Sequence, residues 1–444
     1  MDYRDVIVAV SVAVGIPLCF RWPWIGGVVW GWFCFLYPDR VMIGLVHGTP
    51  FIALVVIATL AGLAFSSPLY QLPRSREMYL LVAFWAFCAL TTAAALYPER
   101  AWPQFFRLSR IILLIMVVMA FCQSPRRLTA LMWGTALAVA CYAVPGALWV
   151  AVTGGHAGPL YGPRASDIEN NNDFAAAMIA TLPFFVFLGP TAPRPWMRHA
   201  ALGVFGITVV AILGTYSRAA VLALVAVLLL LAALRQWRAL AVAAVAWVAF
   251  LSVTAPQKWV RRVDTIRTFS REASAAQRPQ EWYVALRLGL DHPVLGAGFQ
   301  PFTPETYLRY VGYEDYHNAH NFFLQVFAEH GIPGLALYTA LVVSTLATLW
   351  RMGRRPPIAP TAARFRAFSL ALLVGLVGYI VDAQFHVLSY RPIFFNLLAL
   401  AIMVDALARA PAHVIQPIHS AAAEARQRWL RTVVQNFPQR GVRS

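Results

Sequence analysis

Long apolar runs alternate with short polar breaks along most of the chain. Runs long enough to cross a bilayer as a helix, about 17–25 residues with softer ends, lie at 50–66, 78–95, 106–122, 128–153, 173–189, 199–214, 218–234, 239–254, 332–350, 367–385 and 392–408. Two shorter runs, 5–20 and 24–37, are interrupted by Pro17, Arg21 and Pro23 and read as two tight spans or a partly re-entrant hairpin. The pattern predicts an all-α polytopic membrane protein with about 12–13 transmembrane helices. The expected organisation is an N-terminal bundle over 1–254, a cap over 255–331, C-terminal helices over 332–408 and a basic tail over 409–444.

The cap is the one long polar stretch. Loops of that length are functional or disordered, and aromatic and aliphatic residues from Trp259 to Phe323 argue for a fold. Trp282, Leu286 and Leu290 recur every four residues, so the spacing predicts a helix with an apolar stripe over 279–291. His292-Pro293 ends it and Gly296-Ala297-Gly298 makes a turn. We expect a small, mostly helical cap packed on the mouth of the bundle.

Composition excludes a soluble domain. Hydrophobic residues make up 60% of the 444 positions and charged residues 12%, against roughly 25% charged in ordinary soluble proteins. The net charge of +17 would suggest a polyanion, but its distribution gives an orientation. Lys and Arg in loops favour the cytoplasm. Placing Arg21, Arg74, Arg76, Arg126, Arg127, Arg194, Arg198, Arg235, Arg238, the 351–366 loop and the tail inside collects 20 of the 36 basic residues against Glu77, Asp405 and Glu424. The inner side then carries the whole +17 and the outer side, with the cap, is balanced. The expected localisation is multi-pass with no nucleic-acid partner. No cleavable signal peptide is expected. Cys19, Cys34, Cys88, Cys122 and Cys141 all sit in apolar runs and read as small buried hydrophobes.

Candidate chemistry gathers at the outer ends of the spans. His317 and His320-Asn321, followed by Gln325, Glu329, Gly331 and Gly334, offer an imidazole able to take a proton near neutral pH, or merely the polar cap of the next helix. Ser217-Arg218 opens a helix, where arginine and helix terminus both favour an anion, or where Arg218 is a snorkelling anchor. Arg278 starts the cap helix as a second anion binder, or as an ion-pair partner of Glu281 or Asp264. Arg164 and Asn170-Asn171-Asn172 precede another helix and suit sugar hydroxyls, with Asp173 as an alternative N-cap. Asp382, His386 and Arg391 flank the last outer turn; they are functional candidates or a mutual ion pair. No P-loop, GxSxG, HExxH, DxD or dinucleotide fingerprint is present, and neither metal nor cofactor is expected.

The order of these motifs resembles the O-antigen ligase (WaaL-type) and O-antigen polymerase superfamily. The residues carrying the resemblance are Ser217-Arg218-Ala219, Arg278 to Trp282 through His292-Pro293-Val294-Leu295-Gly296-Ala297-Gly298, and His320-Asn321 with Gln325, Glu329, Gly331 and Gly334. The Gly-Pro-x-x-Ser…Asn-Asn run at 162–172 looks like the exosortase-associated O-glycosylation ligase branch. Gln277 stands where family members usually carry Gly or Ser. The resemblance covers about 160–405 and implies a GT-C-like glycosyltransferase in the bacterial inner membrane, its active site facing the periplasm. It implies a glycan donor on undecaprenyl diphosphate and a lipid A–core acceptor. Transfer would be inverting and metal-independent, with His320 as general base and Arg218 and Arg278 on the diphosphate. Asn321, Gln325, Arg164, Asn170, Asn171, Asn172, His317, Asp382, His386 and Arg391 would contact substrate. Polymerase and protein O-oligosaccharyltransferase activities are alternatives within the superfamily. A transporter or flippase fits less well, because no internal repeat is visible and the ionisable residues cluster at span ends.

Overall fold

The computed structural model describes residues 13–27, 29, 51–64, 72–164, 166–253, 277–356 and 359–410. Parts of the two short N-terminal runs with Cys34, the cap up to residue 276 and the tail from 411 lie outside the described residues. Helices α1 (Phe51–Ala64), α2 (Arg76–Ala93), α3 (Pro98–Phe121), α4 (Pro125–Thr153), α5 (Asn171–Leu188), α6 (Pro195–Gly214), α7 (Arg218–Ala233) and α8 (Trp237–Val253) form the first part. The short α9 (Arg278–Asp291) and α10 (Pro304–Val311) follow, then α11 (Phe322–Arg354), α12 (Pro360–Ala383) and α13 (Pro392–Arg409). Every expected run from residue 50 onward is a helix, and there is no strand among the described residues. Among the described residues seven helices, α3 to α6 and α11 to α13, are long and apolar enough to cross a membrane; α7, α8 and part of α1 are shorter apolar helices. The protein is an all-α, multi-pass membrane protein.

Helix starts follow from local chemistry. Ser75, Ser124, Asn170, Ser217, Thr303 and Asn321 each accept a hydrogen bond from a first-turn amide, satisfying donors that have no partner inside the helix. Pro98, Pro125, Pro195, Pro304, Pro360 and Pro392 open helices where a missing N–H costs nothing. At the core, α5 is buried along most of its length and packs on α12 through small residues. A Cβ on Gly375 would collide with the Ala180 carbonyl, and one on Gly378 would meet Val227 and Ile179. Small residues let helix backbones approach closely where no hydrophobic force drives association.

The two ends of the bundle differ. At one, Ser344 and Thr348 donate to the buried Glu77 carboxylate at 2.5 and 2.9 Å, Arg76 donates to Ser344 at 2.8 Å, and Arg409 pairs with Asp405 at 2.8 Å. Arg76, Arg351 and Arg409, all assigned inward by charge, belong to this end. At the other end, Asn171 donates to the Thr215 carbonyl, Tyr216 to the Gly155 carbonyl and Asn321 to the Gln384 carbonyl.

The sharpest feature is a break in α11. Gly331 has φ 65° and ψ −165° inside an otherwise helical run. The rings of Phe322 and Tyr338 lie 5.1 Å apart, whereas sixteen residues of continuous helix would separate them by about 24 Å. The chain therefore folds back at Gly331, and the segment 322–330 lies beside the first turns of 332–354. The sequence pattern predicts a span beginning at 332; the half-helix before it is a finding of the structure. The glycine-rich turn fills the break. Ile332 donates to the Pro293 carbonyl at 2.8 Å, Ala297 to the Ala328 carbonyl at 2.9 Å and Gly298 to the Glu329 carbonyl at 2.9 Å. A Cβ on Gly296 would strike the Glu329 backbone, and one on Gly298 would strike Ala95.

Two sequence expectations need correction. The buried face of α9 is Glu281, Val284, Ala285, Leu288 and Gly289, packed with Phe302, Tyr307, Ala319 and Ala328. The stripe read from Leu286 and Leu290 points outward instead. Alanine and glycine line the inner face because α9 approaches α11 closely: a Cβ on Gly289 would stand 2.5 Å from the Phe327 ring. Cys19, Cys88 and Cys122 are buried as expected, but Cys141 is exposed on α4, as befits a small apolar side chain on a lipid-facing surface.

Gly331→Ala should destabilise the protein by about 1–3 kcal/mol, because this backbone region is open essentially to glycine alone and the new Cβ would meet the Pro293 carbonyl at 2.6 Å. Thermal unfolding in detergent reads this, with Gly203→Ala as the control, since a Cβ there meets nothing within 4 Å.

Candidate active site

His320 precedes the half-helix and holds an uncommon backbone conformation for a non-glycine residue, φ 40°. Its Nδ1 lies 2.9 Å from Oε2 of Glu281, which is buried on the inner face of α9. A carboxylate only accepts, so Nδ1 is the donor in this pair and Nε2 is the ring nitrogen left to other partners. His320 lines a cavity of about 300 Å³. Around it stand the carboxamides Gln104, Asn170, Asn172, Gln300, Asn318 and Gln325, together with His386 and Tyr390.

A charged wall completes the cavity. Arg391 reaches Asp173 at 2.6 Å and Asp167 at 3.5 Å, and Arg107 pairs with the same Asp167 oxygen. Arg107, Asp173 and Arg391 all line the cavity. Arg391 does not join Asp382 or His386 in an ion pair, as the sequence allowed. Asp173 is not the N-cap of α5 either; Asn170 takes that place, which leaves the Asp173 carboxylate to Arg391.

Beyond His386 lies a second cationic group. Arg278 is the first residue of α9 and its guanidinium lies 5.5 Å from the Phe385 ring centre. Burial pulls its pKa down from the ordinary value; Glu281 and Asp382 oppose this, while nearby Arg218 adds to it. Arg218 opens α7 behind the Ser217 cap. Asp382, at the end of α12, is fully buried, and neither of its oxygens has a hydrogen-bond partner among the described residues. His386 connects the halves, lining the cavity and feeling both Arg278 and His320.

Thus His320, Gln325, Asn170, Asn172, His386 and Arg391 come together around one cavity, with Arg218, Arg278 and Asp382 adjoining it. The remaining sequence candidates sit elsewhere. Asn321 uses Oδ1 to cap α11 and Nδ2 on Gln384. Asn171 ties α5 to Thr215. His317 lies 3.4 Å from Asp315, and its carbonyl accepts from Tyr307. Arg164 is exposed. The residues that the sequence reading missed are Glu281 as partner of His320, and Arg107, Gln104, Gln300, Asn318 and Tyr390. Arg107 was hidden at the edge of an apolar run, and Glu281 was read only against Arg278. Two other buried groups hold the scaffold. Glu329 accepts from Gln300 N and Gln325 Nε2, each at 3.3 Å. Thr91, whose only proton goes to the Cys88 carbonyl, accepts from His330 Nδ1 at 2.7 Å.

Residues 203–339, which contain Arg218, Arg278, Glu281 and His320, match the family model described as O-antigen ligase. Over that part of the chain the match supports a relation to the O-antigen ligase/polymerase superfamily. The match supports ligase- or polymerase-type activity in general, a glycosyltransferase-like transfer that implies lipid-linked glycan substrates in a membrane setting. Residues 3–190, which contribute Arg107 and the Asp167–Asp173 wall, match a family of unknown function, DUF5935. No curated protein matches the chain.

Burial, Arg278 and His320 push the His386 pKa from 6.5 down to about 3. The unfolded chain would protonate His386 first, so folding stability should fall as pH drops from 6.5 towards 3. Unfolding temperatures at pH 7 and pH 4.5 should differ less in His386→Gln than in the parent protein; an equal drop in both would show that His386 contributes nothing.

Proposed function

We propose that the protein is a periplasm-facing O-antigen ligase of the bacterial inner membrane that moves a glycan from undecaprenyl diphosphate to lipid A–core. The observation that carries this reading is the Glu281–His320 pair opening on a carboxamide-lined cavity, with Arg278 and Arg218 on the far side of His386. In this reading an acceptor sugar hydroxyl lies in the cavity and gives its proton to His320 Nε2 as its oxygen attacks the anomeric carbon. The anomeric C–O bond to the diphosphate breaks on the opposite face, and its electron pair stays with the leaving oxygen, so configuration inverts. Glu281 stabilises the imidazolium formed, as an orienting carboxylate does for a catalytic histidine. Arg218 and Arg278 stabilise the departing diphosphate as preorganised positive charge at helix starts. Gln325, Asn170, Asn172 and Arg391 contact sugar hydroxyls; Asn321, Asn171, His317 and Arg164 support the site or its entrance. Polymerase action within the same superfamily differs only in the acceptor, a second lipid-linked glycan.

His320→Ala should lower transfer by about 10²-fold or more while expression is retained, and Glu281→Gln should lower turnover with little change in KM. Arg218→Lys should also be impaired, because an ammonium lacks the bidentate fork. Surface-polymer display in a ligase-null strain reads all three; full display by His320→Ala would sink the reading. Lipopolysaccharide bands from a deletion strain separate the two acceptors. Loss of a ligase leaves long chains on undecaprenyl, whereas loss of a polymerase leaves a single repeat on the core.

A further inference from the structure

The outward face of α9 is apolar. Tyr283, Leu286 and Leu290 follow helical spacing, Val294 continues the strip in the turn after the helix, and all four are between 43% and 65% exposed. No described residue covers them. Arg287 and Asp291 flank the strip, and the Arg287 guanidinium lies 6.0 Å from the Tyr283 ring centre.

Three contacts fix the height of this strip. Glu281 meets His320 before the half-helix, Gly289 abuts Phe327 midway, and the Pro293 carbonyl accepts from Ile332 at the break. Thus α9 runs alongside 322–330. The segment 332–354 is about 34 Å long, enough to cross a hydrocarbon core of about 30 Å, so Ile332 stands near one edge of that core. Because Phe322 packs on Tyr338, the half-helix descends about 9 Å below Ile332, and α9 descends with it. The strip is also continuous with a lipid-facing surface: Val294 adjoins the break at Ile332, and Ile332, Val343 and Trp350 are all exposed on α11.

We propose that the outward face of α9 is immersed in the lipid leaflet on the site's side of the membrane. The occupant of this surface is the headgroup–acyl boundary of the bilayer. An apolar strip bordered by arginine and tyrosine is the composition of a helix lying at that boundary, with Arg287 reaching back to the headgroups. On this assignment the cap is not a domain standing in water. Its first helix is a wall of the site at membrane level, with Arg278 and Glu281 at its deeper end and Glu281 on the protein-facing side. The proposal rests on packing and exposure and is independent of the reaction assigned above.

The test uses the full chain in nanodiscs of phosphatidylethanolamine and phosphatidylglycerol, with Cys34 and Cys141 replaced by alanine; the other three cysteines are buried. Leu286→Cys, Leu290→Cys and, as the bilayer reference, Val343→Cys each carry a nitroxide. Collision with oxygen should exceed collision with a water-soluble nickel chelate at 286 and 290, with the same sign as at 343. Dominant nickel collisions at 286 and 290 would overturn the proposal by showing a water-facing strip. Low collision with both reagents would overturn it by showing a protein cover, and spin–spin broadening would then identify a second copy.

Discussion

The break at Gly331 is the constraint on which the site depends. A helix that stops mid-course exposes backbone groups that must find partners away from water. Here the 293–298 turn supplies them through Pro293, Ala297 and Gly298. Glycine at 296, 298 and 331 is required because each lies at positive φ and a side chain at any of them would strike backbone or Ala95. The consequence is positional. Only because the chain folds back does Phe322 pack among Tyr338, Tyr379 and Phe394, and only then does His320 stand over a cavity walled by α3, α5 and the 384–391 turn. Glycines far from any reacting atom thus set where the imidazole is.

Charge around the cavity is arranged unequally. On one wall two arginines, Arg107 and Arg391, meet two carboxylates, Asp167 and Asp173, and the wall is balanced. The two carboxylates are largely buried and the two arginines reach them from partly exposed positions, so each buried charge has its partner. On the other side, Arg218 and Arg278 are neighbours, with Glu281 committed to His320 and Asp382 deeply buried nearby. Two half-buried arginines that influence one another at helix starts make this side positive, which favours an anion beside them. The protein therefore separates a balanced, amide-rich compartment from a cationic one, with His386 neutral between them. On the proposed reaction, that division suits a substrate whose reacting bond joins an uncharged sugar to a charged diphosphate.

Much of the bundle was legible because lipid imposes a length: apolar runs of bilayer-crossing size became helices. His320, Arg218 and Arg278 stood out through their order beside helix starts, and His320 lines the cavity. The partnerships were not. Glu281 is 39 positions from His320, and Asp167 is more than 200 positions from Arg391; ion pairs across such separations leave no local pattern. The fold-back was invisible for another reason. Residues 322–330 are apolar enough to continue the following span, so Gly331 looked like a boundary rather than a hinge.

The misread stripe on α9 shows what periodicity measures. Spacing of three and four finds the apolar face of a helix, and in water that face must turn inward. Near lipid the rule loses its sign, since an apolar strip is equally satisfied by protein or by acyl chains. Residue size then becomes the better guide. The true inner face of α9 is Val284, Ala285, Leu288 and Gly289 around Glu281, small enough for Phe327 to press against the backbone. The larger Tyr283, Leu286 and Leu290 remain outside. In a helix of this kind a carboxylate set among small residues marks the protein-facing side, because a charge can be buried only where a partner such as His320 awaits it.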